Sequence, residues 1–183
     1  MVDLPYYHTE LYVAAVDEND TVIGKVERWK AHSEGILHRG FTAILTVGEM
    51  VLLQHRKHLA FDDTWDLTFS SHQLYDGDTL ASDVDAIRSA LAREWNGLPH
   101  EWESLNLVSI GSVLYKEKDE KSIYTEHEVD HIYRIELPRV PENNPDFAYG
   151  HEVLPIDDLK KGKIPESYRL APWVKKLLSD ISW

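Results

Sequence analysis

Apolar and polar positions alternate in short runs through the first third of the chain. Residues 11–16 and 21–26, separated by the polar cluster Asp17-Glu18-Asn19-Asp20, predict two strands of a hairpin. Residues 41–47 and 50–54, turning at Gly48-Glu49, predict a second hairpin, rich in the β-branched and aliphatic residues of buried strands. Between the two, Ala31-His32-Ser33-Glu34-Gly35 shows no period and reads as a loop. Residues 65–72 predict a strand that delivers Ser70 and His72, two positions apart, to one face.

Downstream of the turn Asp76-Gly77-Asp78, which offers an N-cap, the period lengthens. Leu80, Val84, Ile87, Leu91 and Trp95 follow one another at spacings of 4, 3, 4 and 4, the stripe of an amphipathic helix closed by Asn96-Gly97. Residues 105–114 predict a strand, with Tyr115 opening a charged loop over 116–121. Residues 123–137 predict another strand, and its alternation puts Glu126, Glu128 and Asp130 on one side against His127, Val129, His131 and Tyr133. Residues 138–145 form a surface connection, 153–159 a strand running into a short helix, and Ala171-Pro172-Trp173 opens a last helix with Pro in its first turn. The chain has no internal repeat. The pattern is α+β: a mixed sheet with helices packed on it.

Composition narrows the class. At 183 residues, 43% hydrophobic and 28% charged, the chain has the balance of a soluble single-domain protein. No apolar run approaches the ~20 residues that span a bilayer, and Met1-Val2-Asp3-Leu4-Pro5 lacks the basic and apolar regions of a signal peptide, so a cytoplasmic protein is expected. With no cysteine there is no disulfide, thiolate zinc ligand or thiol nucleophile. A net charge of -13 repels nucleic acid and anionic membranes, so an anionic substrate needs a local basic lining or metal ions. Monomer and homodimer both remain open.

Ten histidines become informative only in combination with carboxylates. Glu126 and Glu128, one residue apart on a strand, point the same way and repel one another unless a cation lies between them. His32, His38 and His72 with these two carboxylates suit an octahedral site for Mn²⁺, Mg²⁺ or Zn²⁺. Arg28, Lys30, Arg56 and Lys57 are candidates for a diphosphate clamp, with an exposed basic cluster as the alternative.

The segments Ala31-His32, Gly35 through Phe41, Trp65 through His72, Thr125 through Asp130, and Ala171-Pro172-Trp173 together resemble type I isopentenyl-diphosphate isomerase, a branch of the Nudix superfamily. Order and approximate spacing hold over nearly the whole chain. The resemblance implies a Nudix fold, an α/β/α sandwich with helices on both sides of a mixed sheet. One domain is expected over 1–183, with an N-terminal hairpin extension (1–30), a core (31–160) and a C-terminal helix (161–183). It implies His32, His38, His72, Glu126 and Glu128 as ligands of one protein-bound divalent metal, and Glu94 as the carboxylate for a second Mg²⁺ that arrives with a small-molecule diphosphate substrate. It further implies Glu128 as acid/base, Tyr115 as its assistant, and Trp173 as the ring that shelters a carbocation, whose charge an electron-rich π face stabilises.

Two departures bear on the reaction. Ser70 stands where the family has its catalytic cysteine, and an alcohol is a far weaker acid than a thiol. The connection over 55–65 is also shorter than in the isomerases. Two other readings follow. Nudix diphosphate hydrolysis needs several helical carboxylates on Mg²⁺, for which Gly77, Asp78 and a late Arg93-Glu94 are a degraded set. A non-catalytic fold that keeps its metal and binds a phosphorylated ligand needs only the five metal ligands.

Overall fold

A computed structural model describes residues 4–98, 100 and 102–180. Residues 1–3 of the N-terminal segment and 181–183 of the C-terminal one lie outside it. The main sheet has nine strands: β1 (Tyr12–Val16), β2 (Val22–Glu27), β3 (His38–Val47), β4 (Met50–Arg56), β5 (Trp65–Asp66), β6 (Phe69–Ser71), β7 (Leu107–Lys118), β8 (Thr125–Glu136) and β9 (Ala148–Pro155). Five helices accompany them: α1 (Pro5–His8), α2 (Arg28–Glu34), α3 (Asp83–Glu94), α4 (Ile156–Lys160) and α5 (Pro172–Asp180).

The sheet is built around β3. Along one edge β3 runs parallel to β8 from His38↔Glu128 to Thr46↔Glu136. Its other edge is shared in turn by β1 at His38, β6 at Phe41 to Ala43, and β4 at Thr46 and Val47. Strand β7 flanks β8, while β9 and β5 pair with β4. Alternation along β3 and β4 then divides the interior. Ile44, Val51 and Leu53 pack on one side with Trp173, Val174 and Leu177 of α5. Ala43, Leu45 and Leu52 pack on the other with Ala86, Ile87, Ala90 and Leu91 of α3. Both faces being covered by helix, the expected α/β/α sandwich is the one observed.

Several local expectations are corrected. Residues 31–35 are not a loop: the Glu27 carboxylate accepts from Trp29 N and Lys30 N, caps a helix that starts at Arg28, and Gly35 ends it in the left-handed conformation. That turn of helix sets His32 inward instead of leaving it on a coil. Residues 65–72 are two short strands, because Thr68 takes a left-handed φ of 64° and its hydroxyl bonds Leu52 O and Leu45 N of neighbouring strands. Helix α3 begins at Asp83 with Ser82 as N-cap; Leu80 belongs to a small hairpin turning at Gly77, and Val84 faces solvent. Tyr115 lies inside β7 paired with Glu128, where it was expected to open a loop. The short helix α1 has no periodic signal at all. The strand-to-helix step at Pro155 and the helix start at Pro172 are as expected.

Candidate metal centre and anion cavity

Three β-strands and one helix bring five side chains to a point. Helix α2 supplies His32, the first residue of β3 supplies His38, the residue after β6 supplies His72, and β8 supplies Glu126 and Glu128. One ligand atom from each lies within 4.8 Å of all the others, and four of the five residues are buried. The geometry is tight. His72 Nε2 stands 2.8 Å and His38 Nε2 3.3 Å from Glu128 Oε1, the two rings meet at 3.2 Å, and His32 Nε2 is 3.2 Å from Glu126 Oε2.

Hydrogen bonds outside the cluster decide which way the rings face. His32 Nδ1 is 2.7 Å from Arg28 O and His38 Nδ1 is 2.8 Å from Ile36 O. A carbonyl only accepts, so each ring keeps a proton on Nδ1 and, when neutral, turns its Nε2 lone pair to the centre. Glu126 Oε2 is buried without a hydrogen-bond partner. A convergence of acceptors and a stranded carboxylate oxygen is what a cation completes, and neutral imidazole with carboxylate oxygen fits Mn²⁺, Mg²⁺ or Zn²⁺. Without it, protons do part of that work. Burial would lower the His32 imidazolium, but the charge of Glu126, 3.2 Å away, lifts it to about 9. Burial pulls His72 down to about 4 against its bond to Glu128. Burial likewise opposes ionisation of Glu128, yet the hydrogen bonds from His38 and His72 hold it well below the usual range.

Gly40 makes room for this carboxylate. A Cβ there would stand 2.6 Å from Glu128 Oε1, so β3 approaches β8 at the one residue type that leaves the space. From the other side Tyr115 OH donates to Glu128 Oε2 at 2.5 Å. Burial and the neighbouring Glu128 charge push the Tyr115 phenol well above 10, which keeps it a donor. Ser70 Oγ is 2.9 Å from Thr42 Oγ1, and Thr42 donates at 2.8 Å to Asp130 Oδ2. Burial and Glu128 together raise Asp130 well above the usual carboxylate range.

A cavity opens beside the centre, lined by Ser70, Tyr115, Trp173, Glu94 and three guanidinium groups. Arg28 and Arg56, candidates for an anion clamp, are buried in it, contrary to an exposed cluster. Each leaves its Nε without a partner, as does Arg93, which the sequence reading placed only in a degraded hydrolase box. Asp66 holds the wall: it accepts from Arg56 Nη1 at 2.8 Å and from Trp173 Nε1 at 2.7 Å. The guanidinium of Arg56 sits 5.0 Å over the Trp173 ring. Lys30 and Lys57 are corrected: Lys30 is exposed on α2, Lys57 donates to Pro145 O, and neither lines the cavity. One turn of helix tilts Lys30 away while turning Arg28 inward.

Glu94 closes α3 with no exposed surface, accepting from Arg93 Nη2 at 2.7 Å and from Gln54 Nε2 at 3.4 Å. His58 stands 3.9 Å from its second oxygen. Residues the sequence reading missed are Arg93 as a cavity wall, His58, the Thr42–Asp130 pair, and Tyr6 and Tyr7 of α1. Tyr6 lies under both Arg28 and Arg93, 4.5 and 4.4 Å from their guanidinium carbons. Asp130 carried a signal in its place on the Glu126–Glu128 face, and His58 one in the basic run His55-Arg56-Lys57-His58 at the end of a strand.

No protein-family model matches the chain. Among solved structures it is similar to a Deinococcus radiodurans protein, with TM-score 0.61, 16% identity and coverage of 91% of this chain and 96% of that one. It is also similar to a MutT NUDIX hydrolase from Burkholderia pseudomallei, with TM-score 0.51, 17% identity and coverage of 80% and 98%. These likenesses show the Nudix fold. Of relatives compared by sequence, "Isopentenyl-diphosphate Delta-isomerase I" of Clarkia breweri is 28% identical over 90% of this chain, which spans 64% of that relative's length. "Isopentenyl-diphosphate Delta-isomerase" of Haloarcula marismortui is 32% identical over 94% of this chain and 91% of its own length. No helix among the described residues is long and apolar enough to cross a membrane. With that degree of identity over nearly its whole length, and a Nudix fold beneath it, the chain belongs to the isopentenyl-diphosphate Delta-isomerase family.

Proposed function

We propose that this protein interconverts isopentenyl and dimethylallyl diphosphate, with Ser70 in the place of the family's cysteine. The observation that carries the reading is the 2.5 Å hydrogen bond from Tyr115 to Glu128 on the wall of a cavity that Ser70 also lines. A reversible double-bond shift needs one group that gives a proton to carbon and another that takes one away. The Tyr115–Glu128 pair is the giving side: the one proton held on its hydrogen bond passes to the terminal alkene carbon, and solvent restores it to the pair after turnover. Thr42 spends its single proton on Asp130, so Ser70 donates to Thr42 and turns its lone pairs to the cavity, the taking side: as the Ser70 oxygen takes a proton from carbon, its own passes to Thr42 and that of Thr42 to the Asp130 carboxylate. Trp173, fixed by Asp66, offers its face to the tertiary cation between the two transfers.

His32, His38, His72, Glu126 and Glu128 are the residues to hold a divalent cation, and Glu94 a second one with the diphosphate. Such cations offset the buried carboxylates and the phosphate charge. Arg28, Arg56 and Arg93 orient the diphosphate through their free Nε–H groups. The reading takes residues 1–183 as one domain with one such site.

A diphosphate hydrolase is the second reading, favoured by the alcohol at Ser70 and by Arg93 bonded to Glu94. The test is incubation of metal-loaded protein with isopentenyl diphosphate and Mg²⁺ in D₂O, following deuterium, dimethylallyl product and phosphate together. Deuterium in the allylic product is expected. Phosphate release without isomerisation moves the protein to the hydrolases, and silence in every channel leaves a metal-holding binder.

A further inference from the structure

His58 is buried in the cavity wall, and its Nε2 has no hydrogen-bond partner. The ring packs against the Phe147 ring, centroids 6.0 Å apart, and burial with the neighbouring Arg56 charge holds its imidazolium well below the usual range, so the ring is neutral. Its Nε2 faces Glu94 Oε2 at 3.9 Å. That oxygen accepts a long bond from Gln54 Nε2 at 3.4 Å and leaves the His58 Nε2 unpartnered. A structural histidine beside a carboxylate closes to a hydrogen bond of ~2.7–3.2 Å; this pair stands well outside that reach.

The spacing has another meaning. Two donor atoms each about 2.1 Å from one ion lie roughly 3 to 4 Å apart, depending on the angle between them. We propose that His58 Nε2 and Glu94 Oε2 together hold the second divalent cation, with the remaining positions filled by diphosphate oxygens and water. This deepens the function proposed above, which gives Glu94 that role alone. It also sets a preference: an imidazole nitrogen in the shell favours Mn²⁺ over Mg²⁺, which prefers oxygen.

The surroundings dictate when the ion binds. Arg28, Arg56 and Arg93 line the same cavity, and Arg93 already occupies the other oxygen of Glu94. Three guanidinium groups repel a bare dication and attract a diphosphate. The cation therefore enters with the anion, and each raises the affinity of the other.

The experiment counts Mn²⁺ bound per chain by equilibrium dialysis and EPR, with and without inorganic pyrophosphate, in the wild type, His58→Phe, His58→Asn and Glu94→Gln. The wild type is expected to bind one Mn²⁺ alone and two with pyrophosphate. His58→Phe should keep the first ion and weaken the second ~10–100-fold, the range for losing a supporting ligand group. His58→Asn, with an oxygen donor, should recover part of the binding and shift the second site toward Mg²⁺. Pulsed EPR should show nitrogen coupling on the pyrophosphate-dependent Mn²⁺, and His58→Phe should remove it.

An unchanged second Mn²⁺ in a folded His58→Phe overturns the proposal. So does an equal loss of Mg²⁺ and Mn²⁺, which marks a general packing defect. Should the variants not fold, the wild type alone decides: a second site with no preference for Mn²⁺ over Mg²⁺, or none with pyrophosphate, overturns it as well. None of these readouts needs turnover. A protein silent in D₂O that still binds the second Mn²⁺ through His58 refutes only the isomerase reading.

Discussion

Thr42 and Ser70 face each other across the β3–β6 pairing, with their hydroxyl oxygens 2.9 Å apart. Thr42 in turn donates to the buried Asp130, so the direction of the Ser70 hydroxyl is set two residues away from it. Thr42→Val keeps the shape and removes both hydrogen bonds. Isomerisation should fall in kcat by about 10²-fold, the lower range for a mispositioned acid–base group, with KM little changed. Thr42→Ser should restore it. Equal kinetics in the Val and Ser variants would separate Ser70 from Thr42.

Ser70→Cys tests the chemistry of that position directly. A thiol ionises far more readily than an alcohol, while the two differ by one atom at the edge of an existing cavity. The variant should isomerise faster than the wild type with unchanged metal content. A folded, metal-loaded and inert Ser70→Cys would mean that the pocket has diverged beyond this atom.

Gly40→Ala should damage the metal centre without touching a ligand. The added carbon would stand 2.6 Å from Glu128 Oε1, and that carboxylate is tied by His72, His38 and Tyr115. It has to swing away from one of them. First-site metal affinity should fall about 10–100-fold, as for other disturbances of ligand orientation. Dialysis against a chelator series measures it; wild-type affinity would show that Glu128 adapts at no cost.

His32 predicts a pH dependence with a definite sign. Its imidazolium is raised from 6.5 to about 9 by Glu126, against the cost of burial. In the metal-free protein the contribution of this pair is fully present below 6.5 and is lost as pH rises through about 9. Metal has to displace the same proton from Nε2, so affinity should rise by up to about tenfold per pH unit across that window and then level. Thermal melts of metal-free and loaded protein from pH 6 to 10 check both halves. A flat metal-free profile would place the proton elsewhere.

What the sequence made legible was whatever carries a period or a rigid marker. The two-residue spacing of Glu126 and Glu128 placed both carboxylates on one face of β8, and Pro172 marked the start of α5. Capping chemistry was harder to read: Glu27 turned an apparent loop into α2, and with it sent Arg28 and His32 inward and Lys30 outward. Arg28 and Arg56 could be named as clamp candidates, but that they and Arg93 line one cavity was not legible, since a charged residue reads as surface until its counterpart is located in space. Arg56 finds Asp66 ten positions away, across a connection that turns through left-handed residues at Phe61 and Asp63.

That ion pair supports the last prediction. Asp66 has no exposed surface and accepts from Arg56, from Trp173 and from Leu67 N. Asp66→Asn keeps the volume and one acceptor, but it removes the charge and turns an amide N–H toward the Arg56 donor. A buried guanidinium left without its counterion costs about 3–5 kcal/mol, much more than the pair itself contributes. Denaturant melts should show a loss of that order, and Trp173, no longer anchored, should change its fluorescence in the folded state. Asp66→Leu combined with Arg56→Met, which removes both charges, should be less destabilised than Asp66→Asn alone. A double variant as unstable as the single one would mean that Asp66 acts through Trp173 and Leu67 and not through the arginine.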